Sequence, residues 1–341
     1  MARVVTFGEF LMRLTPPGFQ RFEQAGSFEI QFGGAEANVA AGLTRMGLSC
    51  DYVTKLPAHA IGQAAFNELR RYGIGTDKIV RGGERIGTYY MERGAAQRSS
   101  QVVYDRKYSA FSEAEASDFD WDSIFEKDTQ YFVFTGISPA LSDEQAKIAK
   151  IAAEKAKERG ITVCCDVNYR SKLWDTKKAG KVMSGLLPYV DICIINEEHA
   201  KLLFGIVPSR EYVDGDNIKE EGYIQICNQI LEKFKVKTVA ITIRRTISAN
   251  DNYFSAMLYS NAQMAFSRRY RIPIVDRIGS GDAFAAGLIY SVDQRKSLLE
   301  AVEFAAASAV LAHSVEGDFP LSSREEIENL ANGLQNGRTQ R

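Results

Sequence analysis

The sequence has only three histidines and five cysteines in 341 residues, and no Cys-x-x-C pair. A cysteine-held structural metal and a disulfide framework are thereby excluded as organising devices. Cys50, Cys164, Cys165, Cys193 and Cys227 read as reduced core residues. In ITVCCDVN, strand alternation sends Cys164 and Cys165 to opposite faces. Charge of one sign is missing too: 42 Lys and Arg stand against 43 Asp and Glu, a net charge of −1. No global field exists to recruit nucleic acid or an anionic membrane, so neither partner is expected and any anion binding must be local. No long apolar run and no N-terminal apolar leader segment occur, and a cytoplasmic location is expected. The first apolar run, RVVTFGEF, opens into no G-x-G-x-x-G helix, which argues against a nicotinamide dehydrogenase. Internal repeats and low-complexity tracts are also absent.

What is present is an ordinary globular composition, 45% hydrophobic and 25% charged, in a chain long enough for one large core and an appendage. RVVTF at 3–7 reads as a buried first strand. Further strands are expected at 131–136, 161–168, 191–196 and 238–243, and helices at about 36–47, 62–73, 143–159, 223–235, 282–292 and 298–313. Such alternation predicts a doubly wound α/β fold on a mostly parallel sheet. Two stretches break the rhythm, 9–32 and 86–109; in the second, GTYYMERG and SSQVVYDRKY alternate like half-exposed antiparallel strands. They predict a small antiparallel β lid over the C-terminal edge of the parallel strands. The core is then residues 1–8, 33–85 and 110–330, the lid 9–32 and 86–109, and 331–341 a tail. The polar stretch 207–222 reads as an exposed insertion.

The most informative run is Asp276-Arg-Ile-Gly-Ser-Gly-Asp282-Ala-Phe-Ala-Ala-Gly287. Gly279, Ser280 and Gly281 let the backbone approach a ligand where a helix begins, and the first amides of that helix lack intrahelical partners. A helix N-terminus attracts anions. An aspartate at the mouth of an anion hole suits a group that takes a proton from a nucleophile while the amides hold developing negative charge. A plain Asp N-cap after a glycine turn would explain a bare four-residue motif. The apolar, small-residue helix DAFAAGLIYSV, made to be buried, favours the catalytic reading: phosphoryl transfer to a hydroxyl.

A second glycine motif, Gly33-Gly-Ala-Glu-Ala-Asn38-Val-Ala-Ala-Gly42-Leu-Thr-Arg-Met-Gly47, again precedes a helix. Together the two motifs resemble the N- and C-terminal signatures of the ribokinase-like (PfkB) carbohydrate kinase family, in the right order and separation. The resemblance implies ATP and Mg²⁺, Asp282 as catalytic base, amides of Gly279, Ser280 and Gly281 around the transferred group, and Gly33, Gly34 and Asn38 at the sugar. YDRKYSAFS, DVNYR and HSVEGDF resemble the 2-keto-3-deoxygluconate kinase branch. That likeness puts Gly34, Tyr89, Tyr104, Arg106 and Arg170 at the substrate, and Arg170 at its carboxylate. Two guanidiniums suit a sugar acid better than a neutral sugar. A fructokinase or ribokinase, or a sensor that kept the fold without catalysis, are the alternatives.

By resemblance, the nucleotide side comprises Asn168, Asn196, Arg244, Gly279, Gly281, Ala306 and His313. Where the family has N-x-x-E, this chain reads Asn196-Glu197-Glu198-His199, so either Glu197 or Glu198 reaches Mg²⁺ through water or the metal network differs from the family's. TVAITIRRTISANDN carries Arg244 and Arg245 where the family has a glycine turn, which leaves phosphate contacts and exposed turn charges equally open. Asp276-Arg277 replaces Asp-Thr, against monovalent-ion activation. The lid's exposed edge and apolar face suggest a homodimer through the lid.

Overall fold

The computed structural model describes residues 3–214 and 217–334. A nine-stranded sheet runs Gln263–Phe266, Asp251–Ser260, Thr238–Ser248, Ile192–Ile195, Thr162–Asp166, Thr129–Thr135, Arg3–Phe7, Ser49–Val53, with Tyr270–Pro273 also paired to Asp251–Ser260. From Ser49–Val53 to Thr238–Ser248 every pairing is parallel. The remaining strands are antiparallel additions. The parallel strands are near-continuous apolar runs because both faces are covered, as Arg3–Phe7 shows with Val4 and Val5 both fully buried.

Alternation divides the core into two layers. Val4 and Cys164 face the helices Ala35–Arg45, Ser280–Asp293 and Leu298–Ala312. Val5 and Cys165 face Asp143–Glu158, Thr176–Leu186 and Glu220–Phe234. All five cysteines are buried and free. Each fully buried Phe or Leu in these layers contributes about 1.5–3 kcal/mol by leaving water. Ser280–Asp293 is buried almost all round. It lies so close to its neighbours that a methyl on Gly42 would meet the Ala286 Cβ and one on Gly287 would meet Ala305.

The lid sheet has the order Glu29–Gly33, Leu11–Thr15, Gly87–Glu92, Gln101–Asp105. Its outer pairings are antiparallel and its central one, between Leu11–Thr15 and Gly87–Glu92, is parallel. That central pairing joins the segments 9–32 and 86–109 into one sheet. Cross-strand register places Gln31, Arg13, Tyr89 and Tyr104 in one row, toward the core, and Ile30, Leu14, Tyr90 and Val103 in the row on the opposite face. Ile30 and Val103 are exposed.

Several elements differ from expectation. The strand from Thr238 continues to Ser248, because β-branched TIRRTIS pairs with Asn252–Phe254 and the residues after it in an antiparallel hairpin, where a turn at Arg244-Arg245 was an open reading. The strand Ser49–Val53 and the helices Thr176–Leu186, Glu197–Phe204 and Arg324–Ala331 were not anticipated. Residues 215–216 of the expected insertion and 335–341 of the expected tail lie outside the described residues.

Candidate active site

One cavity of about 540 Å³ opens between the lid and the C-terminal ends of the parallel strands. It gathers Gly34, Asn38, Tyr89, Tyr104, Arg106, Asn168, Arg170, Asn196, Glu197, Glu198, Arg244, Gly279, Ser280, Gly281 and Asp282, residues spread over 249 positions of sequence. Gly33 lies one residue outside the lining. Ala306 and His313 do not line it: both are fully buried beneath it, His313 with its Nδ1 bonded to the Ala309 carbonyl at 2.7 Å. Burial drives the His313 imidazole down to about 3, so it stays neutral.

The helix Ser280–Asp293 starts at the cavity wall. Gly279 caps it with φ +78°, the left-handed region, and a side chain there would overlap the Asp318 carbonyl. A methyl on Gly281 would meet nothing within 4 Å, so open space faces that residue. Asp282, in the first turn, is buried, and Asn38 Nδ2 donates to its Oδ2 at 2.7 Å. Removal from water raises its carboxyl to about 8, against the opposing pull of the Asn38 bond, with the nearby carboxylates Asp166 and Glu36 adding to the rise. Helix Ala35–Arg45 thus supplies Asn38, and helix Ser280–Asp293 supplies the acid it holds.

Two carboxylates that the sequence reading passed over stand beside this pair. Glu36, inside the first glycine motif, is fully buried and accepts from Thr135 N (3.0 Å), Thr135 Oγ1 (2.7 Å) and Ser138 Oγ (3.1 Å), tying the first helix to a core strand end. Asp166, inside the DVNYR motif, accepts from Asn168 N at 3.0 Å and is raised to about 6, chiefly by burial.

At the lid end, Arg106 is buried against Glu9. Its Nε donates to Glu9 Oε2 at 2.7 Å, its Nη2 also bonds that oxygen, and its guanidinium lies over the Tyr104 ring. Ser109 Oγ bonds the other Glu9 oxygen. Tyr89 donates its hydroxyl to Asp318. Arg170, by contrast, is exposed at the cavity and has no carboxylate within ion-pair distance among the described residues. Of the two guanidiniums expected at the substrate, one is therefore occupied by a protein acid and one is free.

At the other end, alternation along Thr238–Ser248 turns Thr242, Arg244 and Thr246 into the cavity and leaves Arg245 exposed outside its lining. Arg244 Nη2 reaches Ser280 Oγ at 3.1 Å, and burial and the neighbouring Arg277 and Arg170 draw its guanidinium down to about 10. Arg277, half-buried, is lowered by burial alone. Neither has an ion-pair partner among the described residues. Asn196 caps the helix Glu197–Phe204 by accepting from His199 N at 2.7 Å, so its side chain serves the turn itself. His199 packs edge-on to Tyr169 and is pushed to about 4, mainly by burial. Glu197 Oε2 is buried without a partner among the described residues and burial raises this acid, whereas Glu198 is exposed. A helix N-terminus, two uncompensated guanidiniums and room at Gly281 define an anion site next to a buried acid, which is the chemistry of a phosphotransferase.

The chain belongs to the pfkB family of carbohydrate kinases, whose family model matches residues 1–323. It is a phosphotransferase with an alcohol group as acceptor. It is 31% identical over 334 residues, 97% of each chain, to a 2-dehydro-3-deoxygalactonokinase of Haloferax volcanii. A 2-dehydro-3-deoxygluconokinase structure from Thermotoga maritima is 47% identical, with a TM-score of 0.92 over 97% of this chain and 98% of that one. A putative ribokinase II from E. coli, in complex with ATP and Mg²⁺, shares the fold at 22% identity and a TM-score of 0.79 over 98% of this chain and 100% of that one.

Proposed function

We propose that this kinase phosphorylates the terminal hydroxyl of a 2-keto-3-deoxy sugar acid, 2-keto-3-deoxygluconate first, giving the 6-phosphate with ATP as donor. The observation that carries the reading is Asp282: a buried carboxyl held near 8, beside the open amide nest of Gly279–Gly281, in the same cavity as the unpaired Arg170. The two relatives named as kinases of 2-dehydro-3-deoxy sugar acids support the substrate class.

The sugar enters between Gly34 and Asn38 on one side and Tyr89 and Tyr104 on the other, with its carboxylate on Arg170. The Asp282 carboxylate takes the proton of the terminal hydroxyl as that oxygen attacks the γ-phosphorus in line, and ADP leaves. Amides of the turn and the guanidiniums of Arg244 and Arg277 hold the phosphoryl oxygens. Mg²⁺, bound with the nucleotide, would neutralise phosphate charge; Glu197, with its orphaned buried oxygen, fits an ion that keeps most of its water and phosphate ligands. The apolar outer row of the lid, Ile30, Leu14, Tyr90 and Val103, suits a second copy across a two-fold axis. Light scattering that gives a monomer at working concentration would remove that dimer.

Asp282→Asn keeps the volume and a hydrogen bond but loses the base. Turnover should fall roughly 10²–10⁴-fold with both substrates still bound. Near-normal turnover in this variant, or a specificity constant for ribose or fructose above that for 2-keto-3-deoxygluconate, would overturn the reading.

A further inference from the structure

Arg13 sits in the middle of a lid strand, is 0% exposed, and reaches across to the core. Its Nη2 donates to Asp276 Oδ2 at 2.6 Å, its Nη1 to Asp318 Oδ1 at 2.8 Å, and its Nε to Thr15 Oγ1 at 2.9 Å. Each carboxylate is fixed to something else. Asp276 Oδ1 accepts from Ile278 N and its Oδ2 from Gly317 N, both at 3.2 Å. Asp318 accepts from Tyr89, its carboxylate covers Gly33 so closely that no side chain fits there, and its carbonyl does the same over Gly279. One guanidinium therefore closes a loop through the lid, the first glycine motif and the start of the turn that carries Gly279 to Asp282.

An ion triad this deep is a poor source of stability, since apolar replacements of similar volume often do as well or better. What it does supply is a fixed geometry: a planar fork with two carboxylates at set angles. We infer that Arg13 is a positioning residue for phosphoryl transfer, holding the amides of Gly279–Asp282 in register with the lid through Asp276 and Asp318. It touches neither the sugar nor the phosphates; Asp318 and Tyr89 separate it from the cavity. The inference rests on the proposed role of that turn. In-line transfer is sensitive to placement, and an error of about 1 Å can lower a rate about 10²-fold.

The test uses the full-length enzyme. Arg13→Lys keeps the charge but cannot bridge both acids, so kcat should fall roughly 10²-fold while KM for ATP changes less than about threefold. Amide hydrogen exchange at Ile278–Ala283 should quicken in that variant. Arg13→Ala should lose more, and added guanidinium ion, which can enter the space left, should restore at least about tenfold of the loss. If Arg13→Ala does not fold, Arg13→Lys decides alone. Wild-type kcat in Arg13→Lys, or a loss of kcat with unchanged exchange at Ile278–Ala283, overturns the inference. The two readings fail separately: an active Asp282→Asn sinks the catalytic role of the turn, whereas an inactive Asp282→Asn beside a fully active Arg13→Lys sinks only the positioning role.

Discussion

The two ends of the cavity treat positive charge in opposite ways. Under the lid, each buried guanidinium is matched by protein acids, Arg13 by Asp276 and Asp318, and Arg106 by Glu9. Across the cavity, Arg170, Arg244 and Arg277 have no such partner among the described residues, and Arg244 is held down by burial first and then by the other two. A desolvated cation without an anion is unfavourable unless a ligand supplies one. The matched set is therefore architecture, which places the lid over the core. On the function proposed above, the unmatched set is the surface offered to the substrate carboxylate and the phosphates.

Removing a matched cation should give the largest effect on the folded protein. Arg106→Met leaves Glu9 buried beside Ser109 without its counter-charge, and the loss should be about 3–5 kcal/mol in denaturant unfolding. If Arg106→Met unfolds like the wild type but binds sugar acid poorly, Arg106 belongs to the ligand and the two ends of the cavity no longer differ in this way. Arg170→Met should do the reverse. Stability stays within about 0.5 kcal/mol, as for an exposed substitution. The specificity constant for the sugar acid falls about 10- to 150-fold, the equivalent of one charge-assisted contact of about 1.5–3 kcal/mol. The same variant should discriminate less against neutral sugars.

Arg244→Met sharpens the contrast on the nucleotide side. Taking away a desolvated charge relieves repulsion with Arg277 and Arg170, so unfolding should shift little or toward greater stability, while KM for ATP rises about tenfold. A large loss of stability in this variant would mean that Arg244 is architectural after all, and that its contact with Ser280 holds the turn together.

How far this division was readable in the sequence differs between its two halves. The family resemblance of their motifs marked Asn38 and Arg170, Arg244 stayed open between a phosphate contact and a turn charge, and the glycine turn before a buried helix marked Asp282 by local pattern. The α/β alternation was legible for the same reason: a parallel strand buried on both faces announces itself as an unbroken apolar run, as RVVTF does. The matched pairs were not legible. Glu9 and Arg106 are 97 positions apart and Arg13 and Asp318 are 305 apart, joined only when the lid strands pair. No local period records that pairing, and its parallel central register brings together segments that the chain separates by two helices. The resemblance implied Arg106 at the substrate, and its ion pair with Glu9 had no local signal beside that. Its acid, Glu9, sits in the short link between the first core strand and the lid, where nothing in GEFLM marks a buried ion pair. Arg244 shows the opposite case, in which strand alternation alone would have sorted it from Arg245 had the hairpin been recognised from its β-branched run.

The smallest effect is also the one that tests whether the unmatched cations reach the chemistry. Asp282 has an ordinary value of 3.8, raised by burial to about 8. A base acts in its deprotonated form, so kcat/KM should rise with pH through this region and level off above it. Linkage gives the companion sign. Folding takes up a proton at Asp282 between the two values, so the contribution of this group to stability declines from about pH 4 to about pH 8, and Asp282→Asn should gain on the wild type over that range. Two groups favour the carboxylate: first Asn38, by its 2.7 Å bond, and more weakly Arg170, by its charge. Asn38→Ala should move the rising limb up by about one pH unit. Arg170→Met should move it the same way by less, whereas Arg106→Met, whose charge is already answered by Glu9, should leave it in place. A limb displaced equally by the two arginine variants would show that the matched pair also projects a field into the site, and the two ends of the cavity would then differ in stability alone.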